Sequence, residues 1–326
     1  MKRSCLALST TLIYGLCLGT ASASTANGYP SKPVRLIVPF SPGGPTDTTC
    51  RIVANKLSTV LGQSIIVDNR EGAGGAIGAR VAAASEPDGY TLFCASTSTL
   101  AILPAMKKDL GYDPVQSFTP IAITGSSPLV MVASSKRKFK TAAELIAYAK
   151  KHPGKLNYGS AGVGTPPHLA GELFKSIANV DVVHIPYKGA SPAFNDLMAG
   201  QIDLLFAATT IMSTADPARV APLLVTAPAR SKSVPDIPSA TEAGLPRLTF
   251  SSWNGVVAPK GTPRPIVELL NKAVNETITD PAVRRDLEKQ GYEVQALDAQ
   301  HFDVFVRNEV EKVKAIVGSL GDAARE

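Results

Sequence analysis

Between positions 34 and 95 the apolar and polar residues fall into blocks that predict a strand, a helix, a strand, a helix and a strand. Val34-Arg35-Leu36-Ile37-Val38 is a short apolar run of the length a buried strand uses. It ends in the turn-rich stretch Phe40-Ser41-Pro42-Gly43-Gly44-Pro45-Thr46-Asp47. Val53, Leu57, Val60 and Leu61 then recur at helical spacing, and Gly62 stops that helix. A strand over about 64–68, a small-residue helix over about 75–84 and a strand over about 90–95 follow. Short links between alternating elements predict a parallel, doubly wound sheet.

The same grammar returns further on. Thr141 and Glu144 form a capping box for a helix that Pro153-Gly154 ends. A strand over about 155–158 feeds the loop from Gly159 to Pro167, and the next helix carries Leu169, Leu173 and Ile177 on one face. A strand over about 181–185, a helix opened by Ser191-Pro192 and a strand over about 202–206 complete a second unit. Trp253 to Ala258 reads as a strand returning to the first sheet, and the C-terminal quarter is mainly helical. The expected architecture is therefore α/β: two doubly wound lobes joined by hinge strands.

Composition and charge narrow the function. Hydrophobic residues make up 44 % of the 326-residue chain, aromatics only 6 %, with a single Trp253, so Ala, Val, Leu and Ile must build the core. The formal charge is +6, but the basic residues are scattered, which argues against a nucleic-acid groove. Lys2 and Arg3 precede an apolar run from about Cys5 to Gly19, and Ala21-Ser22-Ala23 supplies small residues for cleavage. Residues 1–23 read as a signal peptide cut after Ala23, because the run is short of the ~20 residues of a membrane span. Export would leave two cysteines, Cys50 and Cys94. They are taken as two small buried residues, with a bond between them left open.

Each predicted lobe feeds its first strand into a Gly-rich loop that opens a helix. Such loops leave backbone N–H groups at the positive end of a helix dipole, where carboxylates bind. Two loops facing each other would clamp one anion from both sides. Asp47 would repel an anion and reads as the cap of its helix. His168 can contact a ligand or orient the second loop, and Lys188 can supply a counter-charge or sit solvated in its turn. Catalytic motifs fail. Ile77 stands where a dinucleotide fingerprint needs its third Gly, and Tyr158 where a nucleophile elbow needs its first. A hydrolase using Ser160 and His168 is the rival from another class, and it lacks an orienting acid. No cofactor, metal or catalytic activity is expected.

The motifs nevertheless form an ordered set. Pro39 to Asp47, Asn69-Arg70-Glu71-Gly72-Ala73-Gly74-Gly75, Pro87-Asp88-Gly89-Tyr90-Thr91-Leu92 and Tyr112-Asp113-Pro114 resemble the Bug-type solute receptors of tripartite tricarboxylate transporters. So do Leu156 to Gly162, His184-Ile185-Pro186-Tyr187-Lys188-Gly189 and Ala258-Pro259-Lys260-Gly261-Thr262-Pro263. The resemblance runs from about Tyr29 past Gly291.

The resemblance implies a type II periplasmic-binding-protein-like fold with a ligand cleft between the lobes. One lobe is expected over 29–125 plus 251–326 and the other over 126–250. It implies a monomeric periplasmic receptor that closes on a small organic acid and delivers it to membrane permease subunits; docking on a membrane sensor is the variant reading. Carried onto this chain, the ligand contacts are Ser41, Gly43, Gly44 and Thr46 in the first loop and Ser160, Gly162, Gly164 and Thr165 in the second. The expected set also takes in Phe40, Asp47, Thr97, Ser98 and Ala161, together with His168, Tyr187, Lys188 and Asp203. Two departures stand out. Leu100-Ala101-Ile102-Leu103-Pro104 replaces residues that are more often polar in relatives, which counts against a citrate-like ligand. Cys50 and Cys94 replace residues that are more usually Ala or Gly.

Overall fold

The structure is a computed structural model and describes residues 28–321. The predicted leader lies outside the described residues. β1 (Val34–Val38) sits between β2 (Ile65–Asn69) and β3 (Thr91–Ser96), parallel to both. α1 (Pro45–Leu61) and α2 (Ala76–Ala83) make the crossovers. Proline at the first position of α1 loses nothing there, because that amide has no acceptor within a helix. Gly62, at φ +67°, turns the chain out at the other end.

A buried segment follows: a π-helical turn at Ser98–Ile102, then α3 (Leu103–Met106). β4 (Phe118–Ser134) leads to α4 (Ala142–Lys151), whose cap is the expected one: Thr141 Oγ accepts the Glu144 amide at 3.2 Å. The second unit comprises β5 (Leu156–Ser160), α5 (Pro166–Ala178), β6 (Val182–Pro186), α6 (Ala190–Ala199) and β7 (Leu204–Ala208), with β5 between and parallel to β6 and β7. β8 (Val220–Val225), β9 (Ser251–Pro259), α7 (Arg264–Thr279), α8 (Pro281–Lys289) and α9 (Ala299–Leu320) complete the chain.

The sheet is mixed, where the hydrophobic pattern predicted parallel units alone. β4 is the reason. Its first part pairs antiparallel with β9 over Phe118–Pro128, and its last part pairs antiparallel with β7 and β8 from Leu129 onward. One strand thereby carries the order β2-β1-β3-β9-β4-β7-β5-β6 across the whole molecule. Pro120, Gly125 and Pro128 interrupt the strand signal in the sequence, and the register shifts between Pro120 and Ala122 and between Ile123 and Gly125.

β1 shows why its run is apolar throughout. Val34, Leu36 and Val38 pack beneath α1 and α7, while Ile37 faces the opposite core with Phe93, Trp253 and Phe302. The other half has its own core around Leu145, Phe174 and Phe206. α9 serves both, giving Phe302 and Val306 to the first and Val313 and Val317 to the second. Cys50 and Cys94 form a disulfide with Cα atoms 6.5 Å apart, within the range the bond allows. This corrects the expectation of two free buried thiols. α1 lays its second turn on β3 so that the pair meets inside one core.

Candidate functional site

A cavity of about 220 Å³ opens between the two halves of the sheet. The β1–α1 loop forms one wall through Phe40, Ser41, Gly44 and Thr46. Gly44 is the N-cap of α1, and no side chain caps the helix. The first-turn amides of Thr46 and Asp47 therefore remain available, at the positive end of a 17-residue helix. Asp47 explains how the loop keeps its shape. Its buried carboxylate accepts the Gly43 amide at 2.8 Å, Asn69 Nδ2 at 2.7 Å and Arg51 Nε at 2.8 Å. Burial alone would raise its pKa, but these hydrogen bonds outweigh burial and hold the carboxyl below its usual 3.8.

The β5–α5 loop forms the facing wall through Ala161, Thr165, Pro166 and Pro167. α5 begins with two prolines, so its first two positions carry no N–H at all. The donors on this side come instead from α6, whose N-cap Gly189 also lacks a side-chain cap and lines the cavity with Lys188 and Ala190. Leu205 to Ala208 at the end of β7 and Leu129 of β4 close the back. The cavity can take an anion at its helix ends and apolar atoms against its floor.

A family model described as the tripartite tricarboxylate transporter family receptor matches residues 49–321. The chain belongs to that family. Its members are periplasmic solute-binding receptors. Protein BugT of Bordetella pertussis is 33 % identical over 305 residues, covering 93 % of this chain and 94 % of that one. A structure of R. palustris Rpa4515 with adipate superposes with a TM-score of 0.84 at 32 % identity, covering 90 % of this chain and 98 % of that one. MatC from Rhodopseudomonas palustris with bound malate gives 0.81 at 33 % identity, over 89 % and 100 % of the two chains.

The receptor uses several of the expected residues to hold its loops in shape, and of these Ser98 and Thr165 also line the cavity. Ser160 is fully buried; its Oγ lies 2.7 Å from His184 Nε2 and accepts the Gly162 amide at 3.1 Å. Thr165 Oγ donates to the Gly162 carbonyl at 2.6 Å, and the Gly164 carbonyl receives Ser98 Oγ at 2.9 Å. Gly43 holds the turn at φ +78° and gives its amide to Asp47. The Thr97 hydroxyl, fully buried, accepts the Trp253 amide at 2.7 Å and ties β3 to β9.

Asp203 and Tyr187 do not line the cavity. Asp203 lies at the amino end of β7, opposite the cavity, where it pairs with Arg137 at 2.6 Å and accepts the Asn157 amide at 2.9 Å. Tyr187 sends its hydroxyl to Asp196 at 2.7 Å, and its pKa is pushed up to about 12, by burial first and that carboxylate second. The two loops open their helices differently, because α5 begins with two prolines and α1 with one. The apolar segment Leu100–Leu103 is core rather than cleft wall, so its departure from relatives says nothing about the ligand.

Sequence reading found β9 over Trp253–Ala258 but missed β4, which brings Ser127 and Leu129 to the cavity, as well as Ser252 at the start of β9 and Tyr292, which follows α8. Gly189 before Ala190-Ser191-Pro192 was the available signal for the start of α6. A larger opening of about 900 Å³ lies beyond Tyr292, between the Ser231–Ile237 loop and the end of α8. Its wall holds paired charges such as Arg284 and Glu288, and none of the loop amides reaches it.

The hydrolase alternative does not fit. Ser160 meets His184 and not His168, and no carboxylate bonds either imidazole among the described residues. The two rings lie 4.5 Å apart beside Glu172, which takes the Tyr158 hydroxyl at 2.7 Å and Lys175 at 2.9 Å. Burial lowers the pKa of both histidines to about 4. A nucleophile at zero exposure has no substrate to attack.

Proposed function

We propose that this receptor captures a carboxylate-bearing small molecule between two lobes, 29–125 plus 251–326 and 126–250, and hands it to the permease of a tripartite tricarboxylate transporter. The reading rests on one observation: an uncapped helix N-terminus opens into a cavity between two halves that share only a few spanning strands. Such a helix end stabilises an anion without any catalytic group. Adipate and malate in two relatives support a carboxylate as the ligand. The disulfide suits an oxidising compartment, and no helix among the described residues is long and apolar enough to cross a membrane. Binding, and not turnover, is the proposed activity. The receptor is proposed to act as a monomer after cleavage following Ala23.

The test is to purify the exported protein natively, denature it and identify the released small molecules by mass spectrometry. A carboxylate released in stoichiometric amount is the expected result. Release of no acid, or steady turnover of simple esters, would overturn the reading. Pull-down of the loaded receptor from membranes should retain permease subunits; retention of a sensor alone would redirect the delivery step.

A further inference from the structure

We infer that the ligand is a small acid with one carboxylate on an apolar body, an arene or a short hydrocarbon chain, and not a polyoxygenated acid. The inference rests on the receptor reading above and concerns the same cavity. Lys188 is the single cationic side chain in the cavity wall, and no Arg, His, Asn, Gln, Asp or Glu joins it among the described residues. The wall hydroxyls are mostly committed. Ser41 donates to Glu71, Ser98 to the Gly164 carbonyl, Ser127 to the Pro128 carbonyl at 3.1 Å, and Thr165 to the Gly162 carbonyl. Tyr292 faces inward with its hydroxyl, accepting Asn254 Nδ2 at 2.8 Å.

What remains is one group of donors at the start of α1 together with the Thr46 hydroxyl, a second at the start of α6 beside Lys188, the Ser252 hydroxyl, and an apolar remainder. Leu129, Leu205, Phe206 and Ala207 supply the floor, while Pro166 and Pro167 present ring carbons where a second loop of amides was expected. An oxygen that enters this floor gives up its water and finds no partner, which a buried polar group tolerates poorly. A site of this kind discriminates strongly against added polar groups that it cannot pair and rewards apolar contact. At about 220 Å³ the cavity also falls below the roughly 300–1,000 Å³ usual for small-molecule sites, so the body must be small.

The experiment is calorimetry on the ligand-stripped receptor with benzoate, hexanoate, adipate, malate and citrate. Benzoate or hexanoate should bind at least tenfold tighter than malate and citrate, and hexanoate should exceed adipate. Malate or citrate binding as tightly as the monocarboxylates would overturn this inference and leave the receptor reading intact. Adipate ahead of hexanoate would overturn the single-carboxylate claim. Binding of none of the five, with no acid released on denaturation, would overturn the receptor reading and this one together. Ala208→Arg places a cation at the half-buried end of β7. It should raise the affinity for adipate relative to hexanoate at least tenfold; an unchanged ratio would show that the ligand body does not reach that floor.

Discussion

Ser98 and Gly164 lie 66 positions apart, yet the Ser98 hydroxyl donates to the Gly164 carbonyl at 2.9 Å. Ser98 follows β3 and Gly164 belongs to the loop before α5, so the bond fastens one half of the receptor to the other at the rim of the cavity. A Cβ on Gly164 would stand 2.7 Å from Leu103 Cδ2 at a φ of +81°, which shows how closely the two segments meet. Ser98→Ala removes the donor and leaves a buried carbonyl without its partner. A neutral hydrogen bond of this kind contributes about 1 kcal/mol, so ligand affinity should fall roughly fivefold. Calorimetry reads the change, with circular dichroism as the check on folding. Unchanged affinity would mean that the bond persists equally in the ligand-free receptor.

The loops and crossovers were legible because their signals are local. Pro45 at the head of α1, Gly62 at its end and the Thr141–Glu144 box each act within one turn of helix. The cavity floor was not legible. Leu129 and Ser252 reach it through strand pairings of 79 and 125 residues' separation, Tyr292 reaches it from the segment after α8, and the prolines and glycine in β4 mask its strand pattern. Asp203 misled for a related reason. A carboxylate beside a strand looks like a ligand contact until the strand's direction places it at the end away from the cavity.

Asp47→Asn tests how the first loop is held. The substitution keeps one acceptor oxygen but sets an NH₂ against Gly43, Asn69 and Arg51, which all donate. A loss of about 1–3 kcal/mol in stability is expected at pH 7. The wild-type carboxyl has its pKa lowered below 3.8 in the folded state, so its contribution is complete above that pH and fades as pH falls through the folded value. Urea midpoints of the two proteins should converge in strong acid. A gap that stays constant down to pH 2 would assign the loss to packing instead.

The histidine pair acts in a different pH window. His168 and His184 titrate at about 4 in the folded receptor against 6.5 when free, because burial disfavours the imidazolium. Between those values the unfolded chain binds more protons, so stability falls as pH is lowered from 6.5 towards 4. The urea midpoint at pH 5 should lie below that at pH 7.5, and His168→Gln should shrink the difference. A pH dependence unchanged from the wild type in both His168→Gln and His184→Gln would place the proton uptake elsewhere.

The Cys50–Cys94 bond closes a loop of 44 residues between α1 and β3. Restricting the unfolded chain in this way stabilises by about 2–4 kcal/mol. For a chain of this size that corresponds to roughly 3–6 °C in Tm. The double variant Cys50→Ala, Cys94→Ala should melt lower by that amount, and reductant should lower the wild type but not the variant. Equal melting of wild type and variant would mean that the bond is not formed in the exported protein.

The anion grip is tested at Thr46, where the receptor supplies its own control. α5 opens with Pro166-Pro167 and has no amide at either position, whereas α1 opens with Pro45-Thr46 and keeps one. Thr46→Pro makes the first helix resemble the second: the chain can still adopt helical φ, but the donor is gone. Thr46→Val keeps the amide and loses only the hydroxyl. If the α1 amides hold the carboxylate, Thr46→Pro should cost about 2–3 kcal/mol of binding, the scale of a charge-assisted hydrogen bond. Thr46→Val should cost about 1 kcal/mol or less. Lys188 is exposed at the cavity mouth, where water screens it, so Lys188→Ala should also cost no more than about 1 kcal/mol. Calorimetry with the acid released from the native protein ranks the three variants once circular dichroism shows each to be folded. Loss of binding in Lys188→Ala with normal binding in Thr46→Pro would move the grip from the first helix to the start of α6.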